Sequence, residues 1–509
     1  MTVRSNDTSV MVRRVRLAGL VLGPLLGMAF GLGLPASIEG GAGGPIVVTG
    51  AMRATVVMMT WMATWWLTEA VPISATALLP LVLAPLLGAG TMARAAAPFA
   101  DPVIFLFMGG FILALSMQRW GLDRRIALVT LGLVGTRPSA IIAGFMLPTA
   151  VMSMFVSNTA TAAMMLPLAL SVASMVHPSD VAPLDARDRN FSIALMLGIA
   201  YAASIGGIGT KIGSPPNGIV AEFVAQTYGH QIGFVEWLAV GLPLVVVFLP
   251  ITWWLLTRVI YPVRRAPIEG AHERLAAAHA ALGPMKPGEW ATLLVFLSTV
   301  TLWVTRPYLG GLVPALANSS GDSVIVMAAA LALFVIPVDR RAGTFAMDWE
   351  TAVKMPWGVL MLFGGGLSLA ATVQANGVAD LIGAKASILS GVPPIVVVLA
   401  VAALVIFLTE LTSNTATTAT LVPIFAAAAV GLGVHPYLLI FPTAIGASCA
   451  FMMPVATPPN AIVFASGRLT IPQMCRAGLW LNLIAIVLVT VAAYAVVVPV
   501  LGRASGIGP

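Results

Sequence analysis

Charge is scarce in this sequence. Asp, Glu, Lys and Arg make up 9% of 509 residues, against 59% hydrophobic residues and a mean hydropathy of +0.98. Soluble domains carry about 25% charged residues, so this chain lacks the polar surface to cover a water-exposed fold. Cysteine is nearly absent as well. Cys449 and Cys475 fall near apolar segments without ligand-like spacing, which argues against a disulfide framework or a cysteine metal site. The five His are dispersed, and the sequence holds neither His-Glu-x-x-His nor Gly-x-Ser-x-Gly, so an intramembrane enzyme has nothing to build on. The net charge of +7 does not point to nucleic acid, because the Lys and Arg are scattered through loops without an aromatic-interleaved patch.

What is present is a series of apolar segments, at about 17–37, 53–91, 102–118, 140–176, 191–208, 236–261, 290–305, 322–338, 357–372, 394–432, 437–465 and 478–502. A crossing needs about 20 residues, so the pattern predicts an all-α polytopic membrane protein with roughly 10 to 12 crossings and some re-entrant pieces. The basic start and apolar run at 17–34 resemble a secretory signal, but the run is long enough to span and many spans follow it. Arg13, Arg14 and Arg16 precede the first segment and favour a cytoplasmic N-terminus. The polar connection at about 262–288, with Arg264, Arg265, Arg274 and Lys286, is expected on the same side.

The chain carries one unit twice. Ser157-Asn158-Thr159-Ala160-Thr161 and Ser413-Asn414-Thr415-Ala416-Thr417 lie 256 positions apart, inside apolar segments. Phe107-Met108-Gly109-Gly110 answers Phe363-Gly364-Gly365-Gly366 at the same offset, as Gln118 answers Gln374, Gly121 answers Gly377 and Pro167 answers Pro423. A further pair, Gly213-Ser214-Pro215-Pro216-Asn217 and Ala456-Thr457-Pro458-Pro459-Asn460, stands 243 apart, the first half having the extra polar loop His177 to Asn190. The Gly pairs favour either close backbone approach or a hairpin that enters and leaves on one side. Segment 140–176 is too long for one straight crossing and predicts two half-helices meeting at Ser-Asn-Thr.

These residue types suit transport. Ser, Thr and Asn compete with the helical backbone for hydrogen bonds and so favour helix ends. A break at them exposes N–H groups for an anion at the start of the next half-helix, and carbonyls for a cation at the end of the previous one. Hydroxyl, carboxamide and carbonyl oxygens without formal charge suit an alkali cation better than a transition metal. Ser153 and Thr409 each lie five residues before the Asn, and Pro-Pro-Asn frees carbonyls near Gly213 and Ala456. Neither Ser-Asn-Thr region holds Lys or Arg, so mobile cations are the natural compensation for a bound dianion, and coupled sodium and anion transport follows as the expectation. Glu69 and Glu410 are membrane-depth acids that serve either as proton or cation ligands or as structural groups. Lys211 either snorkels to the surface or sits close enough to the first break to modify ion choice.

At these residues the chain resembles the divalent anion/sodium symporter family, carriers of dicarboxylates, citrate and sulfate. Trp65-Trp66-Leu67-Thr68-Glu69-Ala70-Val71-Pro72 through Thr76-Ala77-Leu78-Leu79-Pro80, Thr409-Glu410-Leu411-Thr412-Ser413-Asn414-Thr415 and Ala456-Thr457-Pro458-Pro459-Asn460-Ala461-Ile462-Val463 are similar to its signatures, and the likeness covers most of the chain. The resemblance implies a homodimer in the inner membrane, two inverted repeats with re-entrant helical hairpins and broken helices, and a scaffold domain beside a transport domain that moves as an elevator. Applied here, it divides the chain into scaffold helices at 1–92 and 233–348, transport parts at 93–232 and 349–470, and a C-terminal helix at 471–509. It implies substrate contacts from Ser157, Asn158, Thr159, Ser214, Pro215, Ser413, Asn414, Thr415, Thr457 and Pro458. One sodium site would use Ser153, Ser157, Asn158 and the Gly213 carbonyl; the other would use Thr409, Thr412, Asn414 and the Ala456 carbonyl. Ser-Asn-Thr in both halves fits a C4-dicarboxylate, with citrate, 2-oxoglutarate and sulfate open. The departures that matter are Ser214 where the second copy has Thr457, and Lys211, a fixed cation that would favour exchange over symport. A channel, or a related carrier driven by protons, remains as the competing reading.

Overall fold

The computed structural model describes residues 3–38, 44–132, 135–176, 186–268, 273, 277, 279–309 and 321–502. The polar loop expected from His177 to Asn190 and the connection at 262–288 lie partly outside the described residues. Apart from two short hairpins, the described residues form helices and turns.

Helix α1 (Val3–Leu32) lies along α2 (Gly50–Thr68) because Gly19, Gly23, Gly27 and Gly31 recur every fourth residue on the face between them. A Cβ on Gly27 would stand 2.8 Å from Val57 O, so only glycine lets these backbones come so close. Helix α3 (Pro102–Trp120) starts at Asp101, whose carboxylate accepts from Val103 N at 2.9 Å, and stops at Gly121 with φ of 73°. Gly109 and Gly110 lie inside this continuous helix. A Cβ on Gly109 would meet Val326 O at 3.0 Å, so close backbone approach is the correct reading of the glycine pair and a hairpin is not. Their counterparts Gly364 to Gly366 likewise sit within helix α11 (Trp357–Ala375).

Each repeat then breaks twice. In the first, α4 (Pro138–Ser153) is followed by α5 (Asn158–Val176), and α6 (Ala186–Gly207) by α7 (Pro215–Tyr228). In the second, α12 (Pro394–Thr409) is followed by α13 (Asn414–Leu432), and α14 (Tyr437–Ala447) by α15 (Pro458–Ala465). Between the repeats run α8 (Phe234–Trp254), α9 (Pro287–Leu309) and α10 (Gly321–Val335), and α16 (Ile471–Ala492) closes the chain. Among the described residues eight helices are long and apolar enough to cross a membrane, or nine if the pair Val378–Leu389 and Pro394–Thr409, bent by 117°, is one span. That is fewer than the expected 10 to 12. Breaks cut the long apolar stretches into pieces such as Pro138–Ser153 and Tyr437–Ala447, which fall below span length.

Two large apolar cores result. One joins Phe145, Met165, Leu195 and Tyr201 to Phe248, Phe451 and Leu481. The other joins Met58, Trp66, Phe107 and Val326 to Leu360 and Phe363. Packing therefore crosses the sequence boundaries expected at 93 and 349: α3 packs on α9 and α10, and α11 shares its core with α2 and α3. Likewise α8 and α16 share the core of both broken-helix units.

Candidate functional site

Both Ser-Asn-Thr motifs sit where one helix has ended and the next begins. Ser157 Oγ accepts from Ala160 N at 3.3 Å and Ser413 Oγ from Ala416 N at 3.5 Å, the capping role that short hydroxyl side chains perform at helix starts. The following Asn in each motif turns back toward the preceding helix.

At the first break one end of the Asn158 carboxamide lies 2.6 Å from Ser153 Oγ and 3.3 Å from both Gly213 O and Ala203 O. Ser153 Oγ is itself 2.7 Å from Ala203 O. With Nδ2 on that side, its two N–H groups are shared among the three oxygens and the cluster is satisfied. With Oδ1 there, four oxygens converge around the single hydroxyl proton of Ser153, an arrangement that a cation balances. At the second break Thr409 Oγ1 lies 2.8 Å from Asn414 Oδ1 and 3.0 Å from Ala447 O. One hydroxyl proton cannot serve both acceptors, so acceptor oxygens again outnumber protons. Ser153 and Thr409 are fully buried. The donor set is neutral, oxygen-only and hard, which fits an alkali cation.

The Pro-Pro-Asn elements hold the facing backbone. Pro215 and Pro458 are first residues of α7 and α15, where a missing N–H costs nothing. Asn217 Nδ2 donates to Gly207 O and Thr210 O, both at 2.8 Å, and Asn460 Nδ2 to Ala450 O and Met453 O, both at 3.1 Å. These four carbonyls correspond pairwise at the same offset of 243. The duplication marks Asn217 and Asn460 in the sequence, but their work as backbone clamps shows only in the fold. Ala203 O and Ala447 O had no sequence signal at all, since any residue supplies a carbonyl.

Across the repeats, α7 packs on α13 and α15 packs on α5. Ser214 Oγ reaches Ser448 Oγ at 3.3 Å, joining the two halves directly. The hydroxyls of Thr159 and Thr415 make no hydrogen bond among the described residues; Thr159 is exposed and Thr415 half-buried. Pro458 is exposed and Pro215 half-buried, whereas Thr457 is buried and accepts from Asn460 N at 3.3 Å. Thr412 Oγ1 pairs with Thr417 Oγ1 at 2.7 Å and with Leu408 O at 3.0 Å, so its hydrogen bonds go beside the Thr409–Asn414 cluster rather than into it. The Ala456 carbonyl forms no hydrogen bond with Asn414.

The charged candidates fall outside these clusters. Glu69 ends α2 with φ of 46° and pairs with Arg16 at 2.7 Å on an exposed face. The ligand reading of Glu410 gives way to the structural one: the buried carboxylate accepts from the backbone N–H groups of Phe451, Met452 and Met453 at 2.7, 2.9 and 3.0 Å and from Asn482 Nδ2 at 2.8 Å. Lys211 neither reaches the first oxygen cluster nor snorkels outward. Its Nζ donates to Ile232 O at 2.9 Å and lines a cavity of about 140 Å³ with Asp101, Glu222 and Asp322.

A family model described as the sodium:sulfate symporter transmembrane region matches residues 44–501. The chain is 39% identical over 492 residues to the sodium-dependent dicarboxylate transporter SdcS of Staphylococcus saprophyticus, covering 96% of this chain and 92% of that protein. It is 41% identical over 444 residues to the sodium-dependent dicarboxylate transporter SdcS of Staphylococcus aureus, with 87% and 85% covered. The crystal structure of the Alcanivorax borkumensis YdaH transporter matches with a TM-score of 0.59 over 97% of this chain and 100% of that one, at 13% identity, a likeness of fold alone. With the duplicated Ser-Asn-Thr and Pro-Pro-Asn breaks inside the matched region, the chain belongs to the sodium:sulfate symporter family of membrane transporters, the divalent anion/sodium symporters, and is not an enzyme.

Proposed function

We propose that this chain is a secondary active transporter that couples sodium to the uptake of a divalent anion, a C4-dicarboxylate such as succinate, malate or fumarate. The observation that carries the reading is the matched cluster of neutral oxygens beside each Asn, Ser153 Oγ with Ala203 O and Gly213 O at the first break and Thr409 Oγ1 with Asn414 Oδ1 and Ala447 O at the second. Sodium ions seated there supply the positive charge that the breaks lack in fixed form. Gly213 O completes the first site, and the Ala456 carbonyl and Thr412 stand beside the second. The starts of α5 and α13, with Ser157, Thr159, Ser413 and Thr415, then offer N–H groups and free hydroxyls to the two carboxylates. Ser214, Pro215, Thr457 and Pro458 border the same space from the other repeat.

Substrate and ion bind together because each neutralises the other. The relatives named as sodium-dependent dicarboxylate transporters support this choice of ion and substrate. Membership of the divalent anion/sodium symporter family supports a scaffold and a transport body that moves by elevator-type displacement, in a homodimer of the inner membrane, and Arg13, Arg14 and Arg16 ahead of the first apolar segment support a cytoplasmic N-terminus. Engagement of Lys211 with Ile232 O supports symport rather than exchange, since the amine does not replace the first sodium.

The test is uptake of labelled succinate, citrate and sulfate into proteoliposomes under a sodium, potassium or proton gradient. Sodium-driven succinate uptake that is lost in Asn158→Ala and Asn414→Ala is the expected result. Succinate uptake indifferent to the sodium gradient sinks the coupling, and intact uptake in both variants sinks the site.

A further inference from the structure

Helices α6 and α16 begin, and the span Phe234–Ile260 ends, at one face of the molecule. Between them opens a cavity of about 390 Å³, lined by Arg189, Asn190, Ile193, Tyr261, Gln473 and Arg476 among others. The volume lies within the roughly 300–1,000 Å³ range of small-ligand sites. Its walls hold two guanidinium groups and no carboxylate. Neither Arg189 nor Arg476 has a hydrogen-bond or ion-pair partner among the described residues, and the neighbouring acid Asp188 is turned to Arg264 at 3.4 Å.

The rest of the lining is already ordered. Tyr261 OH donates to Gln473 O at 2.7 Å, Asn190 Nδ2 donates to Pro262 O at 3.1 Å, and Gln473 Oε1 accepts from Thr470 N at 2.9 Å. Those bonds leave the Gln473 amide N–H groups to join the guanidinium donors. Buried Ile193 and Tyr261 provide an apolar floor.

Arg189 and Arg476 line the cavity and are both exposed, so an anion entering it meets two guanidinium groups whose planar forks match phosphate oxygens in pairs. The cavity sits where three spans end, the level of lipid headgroups, and basic pockets between helices at that level suit anionic lipid. We propose that this cavity binds a phosphate-bearing anion, supplied by the headgroup of an anionic phospholipid.

Thermal unfolding of the purified full-length protein in neutral detergent tests the proposal, with phosphatidylglycerol, phosphatidylcholine and inorganic phosphate each titrated in turn. Phosphatidylglycerol is expected to raise the unfolding midpoint well beyond phosphatidylcholine. In the double variant Arg189→Gln/Arg476→Gln the half-saturating concentration is expected to rise by about tenfold or more, with the midpoint in phosphatidylcholine unchanged. Arg189→Lys/Arg476→Lys, which keeps the charge but loses the fork, is expected to fall between. An arginine-dependent shift of equal size with inorganic phosphate overturns the lipid source in favour of a free phosphate. Equal shifts in the parent and the Gln variant, or none in the parent, overturn the site.

Discussion

The first and second breaks hold the same geometry with different side chains. Glu410 stands where the first repeat has Met154, and Phe451 to Met453 stand where it has Ile208 to Thr210. In the first repeat the downstream Thr210 hydroxyl donates back to the Met154 carbonyl. In the second, the upstream Glu410 carboxylate reaches forward to three backbone N–H groups. The tether between the two breaks of a repeat is preserved, while the residue that makes it has changed sides. The first unit also relies on close backbone packing: Gly206 backs onto Ala150, where a Cβ would stand 2.6 Å from the Ala150 Cα. The second adds a hydroxyl pair, Thr412 with Thr417, where the first has Val156 and a buried Thr161 hydroxyl without a partner among the described residues.

The largest expected effect falls on the carboxylate tether. Glu410→Ala takes the acceptor from four donors, the N–H groups of Phe451, Met452 and Met453 and Asn482 Nδ2, and is expected to cost on the order of 3 kcal/mol or more, seen as a large drop in the thermal midpoint in detergent. Thr210→Val removes two hydroxyl bonds, the one donated to Met154 O and the one accepted from Gly213 N, and is expected to cost about 1–2 kcal/mol. Equal losses would dissolve the distinction between the two tethers.

Next come the two Asn residues, which should behave alike if the repeats contribute equally. Asn158→Ala and Asn414→Ala are each expected to lower sodium-driven dicarboxylate uptake by about 100-fold, the equivalent of about 2.7 kcal/mol. A variant that kept near-normal uptake would show that its half contributes little.

Backbone packing ranks third. Gly206→Ala forces a methyl into the Ala150 backbone and is expected to cost about 1–3 kcal/mol. Gly446→Ala meets only the Ile406 and Val405 side chains, at 3.3 and 3.6 Å, and should change the melting midpoint little. The smallest change is Thr412→Val, which gives the second break the apolar residue of the first. The sodium concentration for half-maximal uptake is expected to shift by less than about fivefold.

Much of the site was legible because polar residues in an apolar segment have few uses. Ser157-Asn158-Thr159 and Ser413-Asn414-Thr415 predict helix breaks, and α4/α5 and α12/α13 do break there. Glu410 and Lys211 were harder to read. A carboxylate serves as ion ligand or as backbone clamp with the same atoms, and only the position of the 451–453 backbone decides between them. The glycine pairs left two readings open because close approach and sharp turning both want a missing Cβ; the presence of Val326 against Gly109 selects the first.

By itself the sequence determined that the chain lives in a membrane, that it carries one unit twice, and that each unit breaks at uncharged oxygen-bearing residues. Those follow from hydropathy, spacing and local hydrogen-bond competition, all written along the chain. Only the tertiary structure decided which carbonyls face Asn158 and Asn414, which half-helix of one repeat lies on the other, and which helices share a core. Carbonyls are identical at every residue, and packing partners hundreds of positions apart leave no periodic mark, so these choices exist only once the chain is folded.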